Sequence, residues 1–440
     1  MIIAGGPLFT NDPADPFLAE GALRIEGDTV TAVGSLPGLR DAAPGEEVVD
    51  VAGRVVMPGL VNAHTHAYSH YARGMAVSSP TRDFQEILDN LWWRLDRLLE
   101  MEDVELNTAT TFLECIRNGV TTVFDHHSSP RAVLGSLHTQ ADVARRLGIR
   151  AALCYETSDR DGATVRDEAI QENAGFMREV NRGGDDLVRG MFGLHASFTL
   201  SQESLEACAA AAEEVGGGFH VHTAEGPGDE VDAEATYGKR IVERFADVGI
   251  LGPQTLAAHC VHASDAELDL LASTDTSMVH NPHSNMGNAV GAARVVEALR
   301  KGVRCGLGTD AYTADMFASL SLAKVLQNHR LADPTVGFGE AVDLLFTHNP
   351  AIATNVFGRP VGVLRPGACA DVICVDYRPQ TPLEAGSVKG HILYGMGGAM
   401  VTDTMVGGRW VMRDRTILNL DEDDILARSR ERAPRIWASM

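Results

Sequence analysis

Eight short apolar runs recur between residues 60 and 310, separated by stretches rich in alanine and leucine. They are Leu60 to His64, Thr121 to Asp125, Arg150 to Tyr155, Gly190 to His195, Gly218 to His222, Thr255 to His259, Thr276 to His280 and Val303 to Asp310. Alternation of this kind is the pattern of a parallel sheet whose strands are joined by crossover helices. Ser204 to Val215 and Asp265 to Ala272 begin on Ser or Asp and carry apolar residues at i, i+3 and i+4, as such helices should. Eight units in one chain predict an α/β fold, a (β/α)8 TIM-type barrel, which gathers its chemistry at the C-terminal ends of its strands.

The two ends of the chain read differently. Ala22 to Glu26 and Thr29 to Val33 are short strands across Gly27-Asp28, a hairpin signal. The same texture returns in Ala370 to Val375 and in Thr404 to Met412. The ends are therefore expected to build one small β-sandwich domain from residues 1–57 plus 357–418, leaving 58–356 for the barrel and 419–440 for a C-terminal helix or tail. In that tail Asp421 to Asp424 precede Arg428, Arg430, Arg432 and Arg435. Acid first and base last complements a helix dipole and predicts a terminal surface helix.

With 37 basic against 60 acidic residues the chain carries a formal charge of −23. That repels phosphate backbones and anionic membranes, so a small neutral or cationic substrate is expected and a nucleic-acid or membrane partner is not. No apolar run approaches the ~18 residues of a membrane span, and the first basic residue is Arg24, which predicts a cytoplasmic protein, expected as a homo-oligomer. Seven cysteines are scattered singly with no C-x-x-C pair, as buried free thiols are.

Seven of the eight runs end in, or lead into, an ionisable residue: His64, Asp125, His195, His222, His259, His280 and Asp310. His64 and His66 are two apart, so on an extended chain both rings share a face and can share a cation. Phe219-His220-Val221-His222 is a second histidine-bearing strand, with Glu225 three residues on, and Gly306-Leu307-Gly308-Thr309-Asp310 supplies an aspartate. Two or three histidines plus an aspartate, with an open position for water, make a catalytic divalent-metal site, zinc first, with iron or manganese as alternatives. The chain has only Lys239, Lys301, Lys324 and Lys389, none at the end of the fourth strand, so no carboxylated lysine is available to bridge a second metal. One metal ion is expected.

Pro58 to His66, His222-Thr223-Ala224-Glu225, His259 and Gly308-Thr309-Asp310 resemble the amidohydrolase superfamily, in its mononuclear metal-dependent deaminase branch. Leu91 to Asp96, Asp125 to Pro130, His280-Asn281 with Ser284-Asn285-Met286, and Gly390-His391-Ile392 are similar to the SsnA-type aminohydrolases. The resemblance implies that His64, His66, His222 and Asp310 hold the metal and that Asp310 takes the proton of the attacking water. It implies that His259 hydrogen-bonds the hydroxide or nascent oxyanion, while Glu225 protonates a ring nitrogen and then the leaving amine. The implied reaction is hydrolytic deamination of a purine-, pterin- or triazine-like heterocycle with release of ammonia. Cyclic-amide hydrolysis and chlorohydrolase chemistry are the alternatives on the same metal, and a catalytically silent oligomeric scaffold is disfavoured because every ligand position is filled.

His195, Trp93, Glu156, Asn285 and His283 are the expected substrate contacts. Trp92 shares helical spacing with Leu95 and Leu99 and is assigned to core packing. Asp125-His126-His127 is either a hydrogen-bond network behind the site or a structural polar cluster, and His262 is placed in the loop after His259. His70, four residues past His66, is expected near the substrate mouth or in structural packing, outside the metal's coordination.

Overall fold

The computed structural model describes all 440 residues. Its central element is a ring of eight parallel strands: β1 (Leu60–Thr65), β2 (Val120–His127), β3 (Arg150–Tyr155), β4 (Val188–Gly190, continued by Phe192–Ala196), β5 (Phe219–Thr223), β6 (Leu256–His259), β7 (Ser277–His280) and β8 (Cys305–Leu307). Pairing runs in order from β1 to the first half of β4, and from its second half to β8. A bridge between Thr157 and Leu194 stitches the break at β4, and one between Thr65 and Asp310 joins β1 to the end of β8. At that last seam the Thr309 and Asp310 amides both donate to the His64 carbonyl, at 2.9 and 3.0 Å.

The expected strands match the observed ones within a few residues, and β8 departs most. It stops at Leu307 because Asp310 lies at φ +56°, off the extended path. The helix expected from Asp265 starts there, and the one expected from Ser204 starts two residues earlier, at Gln202. Ser201 Oγ accepts from the Ser204 amide before Gln202–Val215, and Ser264 with Glu267 forms a capping box before Asp265–Ser273.

Both chain ends contribute to one nine-stranded sheet. Ile2–Phe9, Phe17–Glu26, Thr29–Gly34, Val48–Asp50 and Val55–Pro58 come from the first end, and Val372–Val375, Val401–Val406, Arg409–Arg413 and Thr416–Ile417 from the second. The halves meet where Val55–Pro58 pairs antiparallel with Val372–Val375. The predicted Gly27-Asp28 turn is present, with Glu26 opposite Thr29. Gly407 and Gly408 turn the second hairpin with φ of +52° and +71°, the positive values a two-residue turn demands. A Cβ on Gly408 would lie 1.9 Å from the Gly27 carbonyl oxygen, so the two turns meet tip to tip and only glycine fits.

The last helix, Glu422–Trp437, has the expected acidic start, with Asp421 capping the Asp424 amide. It is not a free surface helix. Arg432 and Arg435 both bind Asp103, which is fully buried. Trp437 Nε1 donates to the Tyr71 carbonyl at 2.7 Å, and Ile436 joins Tyr68, Tyr71, Leu95 and Leu99 in one apolar cluster. A basic face and two aromatic-rich segments elsewhere in the chain are complementary, which spacing within the helix alone does not disclose.

Candidate active site

His64 ends β1, and His66 follows in extended conformation (φ −125°, ψ 94°), so the alternation that points both rings one way persists through the end of the strand. His66 Nδ1 donates to the His126 carbonyl at 2.6 Å, so a cation would meet this ring through Nε2. That Nε2 lies 3.1 Å from His222 Nε2 and 3.2 Å from Asp310 Oδ1. His64 Nε2 lies 4.0 Å from the same Asp310 oxygen and is buried without a hydrogen-bond partner. Tetrahedral zinc bonds of ~2.0–2.2 Å set ligand atoms ~3.3–3.6 Å apart, close to these separations. The orphaned nitrogen and the converging donors fit one divalent cation held by His64, His66, His222 and Asp310. Gly308 lets the final turn close in, since a Cβ there would lie 2.4 Å from Asn281 Oδ1 and 2.9 Å from the His64 Cβ.

Several backbone positions here are strained. Asp310 (φ +56°), His259 (φ +73°), Cys260 (φ +49°) and Ala224 (φ +47°) all adopt the left-handed region without being glycine. Such conformations cost ~1–3 kcal/mol each and persist where surrounding structure dictates them.

Glu225 and His259 lie beside this centre, His259 within reach of His64, His222 and Asp310. His259 Nε2 lies 3.4 Å from Glu225 Oε2 and 3.7 Å from Asp310 Oδ2. Burial, with the nearby Asp310 and Asp229 carboxylates, pushes the Glu225 carboxyl well above its ordinary range, toward the protonated form at neutral pH. Asn288 Nδ2 donates to Glu225 Oε1 at 3.4 Å, and Asp229 Oδ2 accepts the Glu225 and Gly226 amides at 2.9 and 3.0 Å, fixing the loop. Burial lowers the His259 imidazole to about 4, so the ring is neutral.

Behind His66 stands a buried polar cluster. Glu156 Oε1 lies 3.1 Å from His126 Nδ1 and 3.3 Å from His66 Nδ1. Burial opposes ionisation of Glu156, but the bonds from His126 and His66 outweigh it and hold the carboxyl well below its usual range. His126 Nε2 donates to the Leu194 and His220 carbonyls. His195 Nδ1 meets Thr199 Oγ1 at 2.8 Å while its Nε2 lies 4.0 Å from Glu156 Oε2.

A cavity opens onto the centre between Tyr68, Phe84, Leu88, Trp92, Trp93 and Phe198, with Glu156, His195, Glu225 and Asp310 among its polar walls. Of the expected substrate contacts, Trp93, Glu156 and His195 line it. Asn285 and His283 do not. The short helix Pro282–Gly287 turns Asn285 behind His259 at 2.9 Å and His283 toward Ser319 at 3.3 Å. Trp92 lines the cavity and also packs on the Tyr68–Leu95–Leu99 cluster. Its core assignment is only half of its role, because Leu88–Trp92 forms a wide π turn that shifts the helical phase.

Asp125 is a clamp, accepting the Ala67 amide and Gln140 Nε2, each at 2.6 Å. His126 belongs to the network behind His66, whereas His127 bonds Ser129. His70 is half-buried in a 3-10 turn beside a neighbouring cleft, and burial lowers it to about 4. His262 binds the Val290 carbonyl, outside the site. His280 is fully buried and not among the converging donors. Sequence reasoning missed Tyr68, Phe198, Asp229 and Asn288, and also His220, which pairs with His64 Nδ1 at 2.8 Å. His220 shares the period-two face of His222, a signal that was available. Arg160 was missed too; it stacks on Trp93 from outside the cavity lining, 5.5 Å from the ring centre.

Residues 55–411 match the amidohydrolase family. The chain is 31% identical over 440 residues to a 5-methylthioadenosine/S-adenosylhomocysteine deaminase of Pelotomaculum thermopropionicum, covering 99% of this chain and 98% of the relative. It is 32% identical over 434 residues to a 5'-deoxyadenosine deaminase of Methanosarcina barkeri, covering 97% and 96%. A zinc-bound adenosine deaminase from Xanthomonas campestris superposes with a TM-score of 0.88 at 25% identity, covering 99% of this chain and 98% of that one. Ligand geometry, barrel and full-length similarity agree: this chain belongs to the amidohydrolase family, in its deaminase branch.

Proposed function

We propose that this protein hydrolytically deaminates a flat, neutral, adenosine-like or related aminated heterocycle, releasing ammonia, with one zinc ion held by His64, His66, His222 and Asp310. The observation that carries the reading is the placement of Glu225, held toward its protonated form, and His259 beside those four ligands. Bound there, the cation lowers the pKa of a water toward ~7 and supplies hydroxide at neutral pH.

Asp310 takes the water proton. As the C–O bond forms, Glu225 delivers its own proton to the ring nitrogen beside the amine-bearing carbon. It then takes the hydroxyl proton of the adduct and passes it to the amine. The C–N bond breaks, ammonia leaves, and the proton held by Asp310 restores Glu225. His259 stabilises the developing oxyanion. Tyr68, Trp92, Trp93 and Phe198 form an apolar slot for a planar ring, and Glu156 with His195 reads one ring edge. No lysine or arginine lines the cavity, so a carboxylate or phosphate substituent on the substrate finds no counter-charge there.

Ammonia release by the zinc-loaded protein tests this with adenosine, 5'-deoxyadenosine, 5'-methylthioadenosine, guanine and an aminated triazine. Turnover of at least one of them with stoichiometric ammonia is expected. Product without ammonia would move the activity to cyclic-amide or chlorohydrolase chemistry.

The same reading places a homo-oligomer in the cytoplasm, without nucleic-acid or membrane partners. No helix is long and apolar enough to cross a membrane. It also treats 1–57 plus 357–418 as a sandwich domain, 58–356 as the catalytic barrel and 419–440 as a C-terminal helix packed on it. One apolar cluster running from Ile3 and Leu23 to Val372 and Met405 supports the sandwich.

A further inference from the structure

His259 is held from behind by two side-chain amides. Its Nδ1 lies 2.9 Å from Asn285 Nδ2 and 3.5 Å from Asn281 Nδ2. The orientation of the Asn281 amide is set independently, because the same nitrogen donates to the Val279 carbonyl at 3.4 Å and a carbonyl only accepts. An amide nitrogen offers no lone pair, so with both amides turned this way His259 Nδ1 accepts and the ring's one proton belongs on Nε2. That Nε2 is buried, lacks a hydrogen-bond partner, and looks into the gap between Glu225 and Asp310.

We infer that Asn285, supported by Asn281, is a positioning residue that locks His259 in the Nε2–H tautomer. In that form the ring donates a hydrogen bond to the oxygen developing on the substrate and stays out of the metal's coordination. The opposite tautomer would aim a bare lone pair at Asp310 Oδ2 and add a further donor for a cation beside those of His64 and His222. Asn285 is suited to the task because its backbone is fixed on both sides. Its amide donates to the Asn281 carbonyl at 3.0 Å, and its carbonyl accepts from Val290 at 3.1 Å. Both asparagines are fully buried, so water does not compete for His259 Nδ1.

The catalytic part of this inference rests on the deaminase reading, and the tautomer itself can be read without substrate. The experiment records long-range proton–nitrogen correlations of His259 in zinc-loaded protein labelled with 15N-histidine, assigned by comparison with His259→Gln. Wild type is expected to show the proton on Nε2. The isosteric Asn285→Asp, which accepts where asparagine donates, is expected to move it to Nδ1 while zinc remains at one per chain. In the same variant kcat should fall ~10²-fold, the size of a lost oxyanion donor, with KM within about twofold of wild type. Asn285→Leu, lacking both donor and carboxylate, should give mixed tautomers and an intermediate kcat. A wild-type proton on Nδ1, or an Asn285→Asp variant with the wild-type pattern, overturns the inference. A tautomer that switches in a protein that deaminates no heterocycle would keep the positioning role and remove the deaminase reading instead.

Discussion

At the scale of single residues, the metal ligands and the acid that faces them separate cleanly by experiment. Glu225→Gln keeps the size and the hydrogen bond from Asn288 and removes the transferable proton, so kcat should fall ~10²–10⁴-fold with zinc content unchanged by metal analysis. His66→Ala should empty the site. His70→Ala should not, and a preparation of that variant lacking zinc would place His70 among the ligands. The convergence of His64, His66, His222 and Asp310 was legible because extended chain has a period of two and strand ends meet in a barrel. Asn288, Tyr68 and Phe198 were not, since they reach the cavity from loops whose path depends on the whole fold. Asn285 and His283 were read at the right depth along the chain and on the wrong face, because a six-residue helix reorients everything after β7.

At the scale of elements, Phe198 follows the fourth strand directly, while the rest of the cavity's aromatic wall is carried by two segments that the barrel strands themselves do not hold. Tyr68 sits on the turn Ala67–Ala72, and Trp92 and Trp93 on the broken helix Phe84–Leu98, which runs α, π, α and 3-10 in succession. The C-terminal helix fastens both, through Trp437 to Tyr71 and through Ile436 to Leu95 and Leu99. Trp437→Ala removes one hydrogen bond and part of an apolar contact, a loss of about 1–2 kcal/mol. It should raise KM several-fold while leaving zinc content intact, which denaturant titration and steady-state kinetics would check together. The sequence announced this helix by its caps and charges. Its partner surface lies more than three hundred residues away in the chain, beyond the reach of any local pattern.

At the scale of the whole molecule, the eight-strand alternation was enough to name the barrel, and the paired β texture at both ends was enough to join them. The registers that close the ring were not, because the bridge from Thr65 to Asp310 is made by a residue in the left-handed region that no propensity foretells. The domain built by the two chain ends also carries a pH signature. Arg359 binds Asp28 and lowers its carboxyl from 3.8 to about 2. A folded-state value below the unfolded one adds stability that is complete above pH ~4 and is lost as pH falls toward 2. Asp28→Asn should therefore destabilise at pH 7 and make little difference near pH 2, as paired denaturation curves would show. The antiparallel match of Val55–Pro58 with Val372–Val375 has a consequence for how the chain is made. A ribosome delivers the first strand early and its partner only near the end of synthesis, so throughout translation the nascent chain presents an open, apolar sheet edge. Premature termination before Val372 would leave that edge permanently unpaired, and such truncated chains should be found in aggregates.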